Sequence, residues 1–174
     1  MIYAKTTVYG LDAQIKLIQT ALDKLLPWSG TVEIYGKIQK TLRDEKVIPE
    51  VYISGSDYKE LFVNDKVSAT IGFIVKDRVY LDIYKPNSKV DVVFTVNLEK
   101  IHANSTREDE RCLIEAKNAL KKTMLFNSIS AIKTGIDEVF TGFDRDRIKH
   151  RDMQPWFVFS LETEITYSEI INCN

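Results

Sequence analysis

The stretch QPWFVFSLETEITYS, residues 154–168, decides the fold. In an extended chain Phe157, Phe159, Leu161, Thr163, Ile165 and Tyr167 point one way. Ser160, Glu162, Glu164, Thr166 and Ser168 point the other. Alternation of period two over more than ten residues predicts a half-buried antiparallel strand. Pro155 falls at its start, where a missing N–H costs least. The strand lies near the end of the chain, so strands made earlier must receive it.

The clearest partner is Val90, Val92, Phe94, Val96 and Leu98, the most regular apolar stripe elsewhere. Before it, Val67–Val75 and Val79–Ile83 alternate, with Lys76–Asp77 and Pro86–Asn87–Ser88 as turns. The spacing predicts a meander of three antiparallel strands. Further upstream, Thr31–Tyr35 is a short strand candidate. Val47–Ile53 is strand-like, with Pro49 placing it at a sheet edge or bulge. Residues 37–46 are charged and read as a loop or a loop with one helical turn, and SGSDYKELFVND, residues 54–65, reads as a long excursion.

Helical periodicity appears three times. Ile15, Ile18, Ala21, Leu22, Leu25 and Leu26 make one apolar face, with Asp12 as N-cap and Pro27 and Gly30 as the stop. Leu113, Ala116, Leu120 and Met124 make a second, with Thr106 as N-cap and Glu108 and Asp109 favoured by the helix dipole. Ile129, Ile132, Ile136, Val139 and Phe140 suggest a third, weakened by Gly135 and ended by Gly142. Helices do not alternate with every strand. The expected class is therefore α+β, an antiparallel or mixed sheet packed against two or three helices. Residues 1–174 read as a single domain, and residues 1–10 as an N-terminal arm or edge strand.

Composition narrows the function classes. The chain is 44% hydrophobic and 28% charged, which fits a globular core rather than disorder. A net charge of −1 gives no overall attraction to nucleic acid or anionic membrane. Cys112 and Cys173 are too few for a disulfide framework or a zinc site, and reduced thiols in a cytoplasm are the default. No signal peptide and no membrane-length apolar run is legible.

Chemistry is sparse. His102 and His150 stand outside any metal-binding spacing. Cys112 sits one residue off a helical apolar face and reads as a small buried hydrophobe, with a Cys112–His102 pair as the catalytic alternative. Glu162 and Glu164 share a strand face at roughly 7 Å, a distance compatible with paired carboxylates but more simply a solvent- or partner-facing acidic strand. No phosphate-binding glycine loop and no nucleophile elbow occurs, so the chain is expected not to be an enzyme and to need no cofactor or metal. Arg145, Arg147, Lys149, His150 and Arg151 interleave with Asp144, Asp146 and Asp152. Such alternation suits a salt-bridged protein interface better than a nucleic-acid groove. Trp156 follows directly, either as an interface anchor or as packing. Arg145, Arg147, Arg151, Trp156, Glu162 and Glu164 are thus the candidate interface residues.

The order of elements resembles the tail-terminator and head–tail connector proteins of tailed bacteriophages. The residues that carry the resemblance are the early helix DAQIKLIQTALDKLLP, the meander VSATIGFIVKDRVYLDIY and the late strand PWFVFSLETEITY. The Ile-, Lys-, Asn- and Tyr-rich style resembles phages of low-GC hosts, including crAss-like phages with stacked neck rings. The resemblance implies a structural virion protein, assembled in the host cytoplasm and resident in the neck or tail. It implies a closed homo-oligomeric ring of six or twelve subunits through which DNA passes. Its partners would be itself, neighbouring portal, connector or tail proteins, and DNA held without sequence preference; no membrane is implied. Loops at 36–46, 54–66 and 143–153 would meet the rings above and below. The alternatives are a small α+β adaptor or ligand-binding domain and, further off, an enzyme using Cys112 or the glutamate pair.

Overall fold

The computed structural model describes residues 1–61, 65–80, 85–102, 108–146 and 153–169. It is α+β, with a mixed six-stranded sheet and an antiparallel three-stranded sheet. The large sheet runs β1 (Ile2–Tyr3), β2 (Val32–Lys37), β6 (Ala69–Tyr80), β7 (Pro86–Asn97), β9 (Trp156–Thr166), β8 (Ser128–Thr134). The first three strands are parallel and the remaining pairs antiparallel. The small sheet runs β3 (Gln39–Arg43), β4 (Lys46–Ser54), β5 (Asp57–Glu60).

The strand at 154–168 takes the predicted place. β9 pairs antiparallel with β7 from Asn97–Trp156 to Asn87–Thr166, and its other edge receives β8. Its apolar face lies in a core covered by two helices, α1 (Leu11–Leu25) and α3 (Asp109–Thr123). Phe159 stacks on Phe94 at 4.8 Å and on Phe157 at 4.9 Å. From α1 come Leu11, Ile15, Ile18 and Leu22, and from α3 Cys112, Ala116, Ala119 and Leu120. Gln19 is buried beside them because its Nε2 donates to two strand carbonyls, Tyr3 O and Ile34 O, at 3.1 Å each. That satisfies a polar group that burial would otherwise penalise.

Several expectations give way. Asp12 is not the N-cap of α1: Gly10 is, at φ 53, and Asp12 sits in the first turn 2.8 Å from Lys37. The stop at Pro27 holds, since Leu26 before it is already extended. Residues 37–46 and the described part of 54–65 are not single loops. They carry β3 and β5, joined through β4 by tight turns. Asp44 and Glu45 both have positive φ, 49 and 63, as a two-residue hairpin turn requires. Pro49 consequently lies in a central strand. It sits opposite Lys40 of β3, and its carbonyl accepts Leu61 N, just past the end of β5. Its missing N–H therefore costs no bond within the paired length.

The meander has two long strands where three were expected. β6 runs through Lys76–Asp77, which form a bulge between Val75 and Arg78 rather than a turn. Residues 81–84 lie outside the described residues, as does Thr106; α3 starts at Asp109 with Glu108 as its N-cap residue. Met124 is not on the buried face of α3. It ends the helix in the left-handed region and is 88% exposed.

The third helical pattern is mostly strand. Ser128–Thr134 forms β8, and only Ile136–Val139 is helical, as α4; the remaining short helix, α2, is Leu98–Ile101. The three-residue spacing of Ile129 and Ile132 arises because a bulge at Ser130 lets both side chains share the helix-covered face.

The second face of β9 is also partly buried. Val158, Val93 and Tyr35 pack there with Ile38, Val51 and Leu61, and with Ile136, Val139, Phe140 and Phe143. This second core fastens the small sheet and α4 to the large one. Gly72 of β6 makes room for it: a Cβ there would meet Ile38 Cγ1 and Cδ1 at 2.8 Å.

Candidate assembly surface

Beyond the second core, the same sheet face stays open and polar. Asp91 of β7 and Glu162 of β9 are directly opposed across the two strands. Two like charges so placed repel. The bulge in β6 supplies the remedy: Lys76 Nζ reaches Asp91 Oδ2 at 2.7 Å and Glu162 Oε2 at 2.8 Å. Lys133 of β8 adds a second cation 3.3 Å from Asp91 Oδ2. Ser130, the bulge residue of β8, donates to Glu162 Oε1 at 2.8 Å. Asp91 is 2% exposed and Glu162 19%.

The electrostatics follow from these contacts. Lys76, then Ser130, hold the Glu162 carboxyl down to about 2 by hydrogen bonds to its ionised form. Burial alone would pull the Lys76 ammonium down; the hydrogen bonds to Asp91 and Glu162 outweigh it and raise it above the ordinary lysine range. Glu164 lies opposite Lys89 and accepts from Asn87 Nδ2 at 3.4 Å. The open half of the sheet thus sets Lys76, Lys89 and Lys133 against Asp91, Glu162 and Glu164. It is a charge-balanced, internally bonded surface.

The remaining sequence candidates scatter. Arg145 donates to Asp137 O at 3.0 Å and pairs with Asp137 Oδ1 at 2.8 Å, beside the second core rather than on the polar face. Arg147, Arg151 and His150 lie outside the described residues. Trp156 is 8% exposed, so its ring is taken up within the chain at the start of β9. Cys112 is fully buried, and burial, then the charges of Glu115 and Asp109, push its thiol above the ordinary range. A thiol so placed is a poor nucleophile. His102 is buried with its Nε2 2.9 Å from Glu115 Oε2, the same oxygen that Trp28 Nε1 reaches at 3.0 Å. The Glu115 carboxylate ties α3 to the segments after α1 and α2.

Sequence reasoning missed a second polar cluster. Glu33 is buried between the sheets, where Tyr35 Oη donates to it at 2.6 Å and Tyr3 Oη at 3.3 Å, with Lys59 Nζ at 3.7 Å. Tyr3 and Tyr35 stack at 4.6 Å. Burial, then the bond to Glu33, keep the Tyr35 phenol far above its usual range. Nearby, a cleft of about 50 Å³ opens between Tyr3, Lys5, Gln19, Tyr52 and Tyr58. It has room for a few waters, well below the roughly 300–1,000 Å³ of a ligand pocket. Among the described residues no group of His, Cys, Asp and Glu is arranged to hold a metal ion. No helix among them is long and apolar enough to cross a membrane. No protein-family model matches the chain, and no curated protein matches it.

Proposed function

We propose that the chain is a structural subunit of a tailed-bacteriophage neck or tail, a head–tail connector or tail terminator that closes into a homo-oligomeric ring around DNA. The observation that carries this reading is the order and placement of the elements. A long antiparallel pair and a late strand, β6–β7 and β9, share one sheet, and an N-terminal helix and a second helix, α1 and α3, cover the same face of it. Two features of the surface support it. The polar sheet face is charge-balanced, which suits packing against a neighbouring subunit better than retaining a polyanion. Strand β3 and the far end of β6 expose apolar side chains, Leu42, Val79 and Tyr80, in the manner of contact positions.

The chemistry favours assembly over catalysis. Glu162 is too weak a base for proton transfer near neutrality, and Cys112 is sealed on the core-facing side of α3. In this reading the partners are other copies of the chain, six or twelve to a ring, and the portal, connector or tail proteins on either side. The test is the composition of purified phage particles. Peptides of this chain should be present at the copy number of one ring, and antibody–gold should label the head–tail junction. Absence from particles would overturn the proposal.

A further inference from the structure

Among the described residues, β8 and β3 each have one edge to which no further strand is paired. β8 closes the large sheet and β3 closes the small one. Edges of this kind offer rows of backbone donors and acceptors, and proteins usually guard them. The guards on β8 are slight, while β3 carries Lys40 and Arg43. β8, SISAIKT, contains no proline, and its single charge, Lys133, is turned onto Asp91. The bulge at Ser130 disturbs only its first half.

The hydrogen-bond parity of both strands is fixed by their inner partners. Gly135 N donates to Val158 O, so Lys133 also faces β9, while Ile132 and Thr134 aim their N–H and C=O outward. On the small sheet Pro49 O accepts Leu61 N, so Ile48 and Glu50 face β3 and bond Thr41 and Gln39. Lys40 and Leu42 therefore aim outward. The outward residues are two apart on each strand. Each edge also carries one exposed large apolar side chain at an outward position: Ile132 at 43% and Leu42 at 71%.

We infer that β8 of one copy pairs antiparallel with β3 of the next, Ile132 opposite Leu42 and Thr134 opposite Lys40. This register joins both outward pairs at once and covers the two exposed apolar side chains against each other. In this register Lys40 lies at the end of β8 that leads into Asp137 and Glu138 of α4, while Arg43, paired with Glu50, lies at the other end. The contact uses two different edges, so it is head-to-tail and propagates around a ring rather than stopping at a dimer. It deepens the ring reading above and rests on it.

The test is a Leu42→Cys/Ile132→Cys variant of the full chain, oxidised at assembling concentration. A hydrogen-bonded antiparallel pair sets its Cα atoms about 5.5 Å apart, within reach of a disulfide. A ladder of cross-linked multimers on a non-reducing gel is expected, and each single-cysteine variant should give no ladder. As a second arm, Leu42→Lys and Ile132→Glu should each raise the half-assembly concentration by roughly tenfold or more. Mixing the two should restore assembly, because Lys and Glu then face each other. Rings that form without the ladder and ignore both charges would overturn this pairing and leave the ring reading standing. A chain that stays monomeric and is absent from particles would overturn both.

Discussion

Lys76→Met removes the cation shared by two opposed carboxylates while keeping most of the side chain's apolar length. Glu162 sits at about 2 against an ordinary 4.5. At about 1.4 kcal/mol per unit, that shift sets a ceiling of about 3 kcal/mol. The carboxylate is partly open to water, and screening brings its share to roughly 1–2 kcal/mol. Asp91 loses its 2.7 Å partner but keeps Lys133 at 3.3 Å. The loss is about 1–2 kcal/mol more, below the full penalty for a buried charge stripped of its pair. Urea denaturation at pH 7 should therefore show the variant less stable by roughly 2–4 kcal/mol. The pH dependence identifies the cause. The folded pKa of Glu162 lies below the unfolded one, so its contribution is complete above about 4.5 and drains away as pH falls towards 2. In the variant the Lys76 part of that contribution is absent throughout, while the bond from Ser130 remains. The stability gap should narrow by roughly 0.5–1 kcal/mol between pH 7 and pH 3, and further as pH approaches 2. A gap that stays constant, or one under about 0.5 kcal/mol at pH 7, would refute the reasoning.

Gly72→Ala should destabilise the chain by roughly 1–3 kcal/mol in the same denaturation assay, because the new methyl collides with Ile38; an Ile38→Ala background should recover part of that. Tyr35→Phe removes the 2.6 Å bond to buried Glu33 and should cost about 1–3 kcal/mol. Cys112, in a Cys173→Ser background, should resist iodoacetamide at pH 8 until denaturant is added, and rapid labelling of the native chain would contradict its burial between α3 and the sheet.

The parts of the fold legible in sequence are those buried on one face. β9, β7 and α1 announce themselves because water on one side and core on the other impose a period of two or 3.6. The small sheet does not. β3 is exposed on both faces, so nothing forces its residues to alternate, and its Asp44–Glu45 turn lacks the usual glycine. SISAIKT looks helical because the Ser130 bulge shifts the phase of its isoleucines, and Lys76–Asp77 looks like a turn because a bulge uses the same residue types. Of the polar face, Glu162 and Glu164 were visible as neighbours on one strand. Lys76, Asp91 and Lys133 were not, since three other strands bring them there and only the pairing register sets their distances.

The ring itself is tested most directly by the mass of the purified chain in solution. Light scattering across a concentration series, with negative-stain images of the same fractions, should give closed rings of six or twelve chains of 20.0 kDa each. A single 20.0 kDa species at every concentration would contradict it.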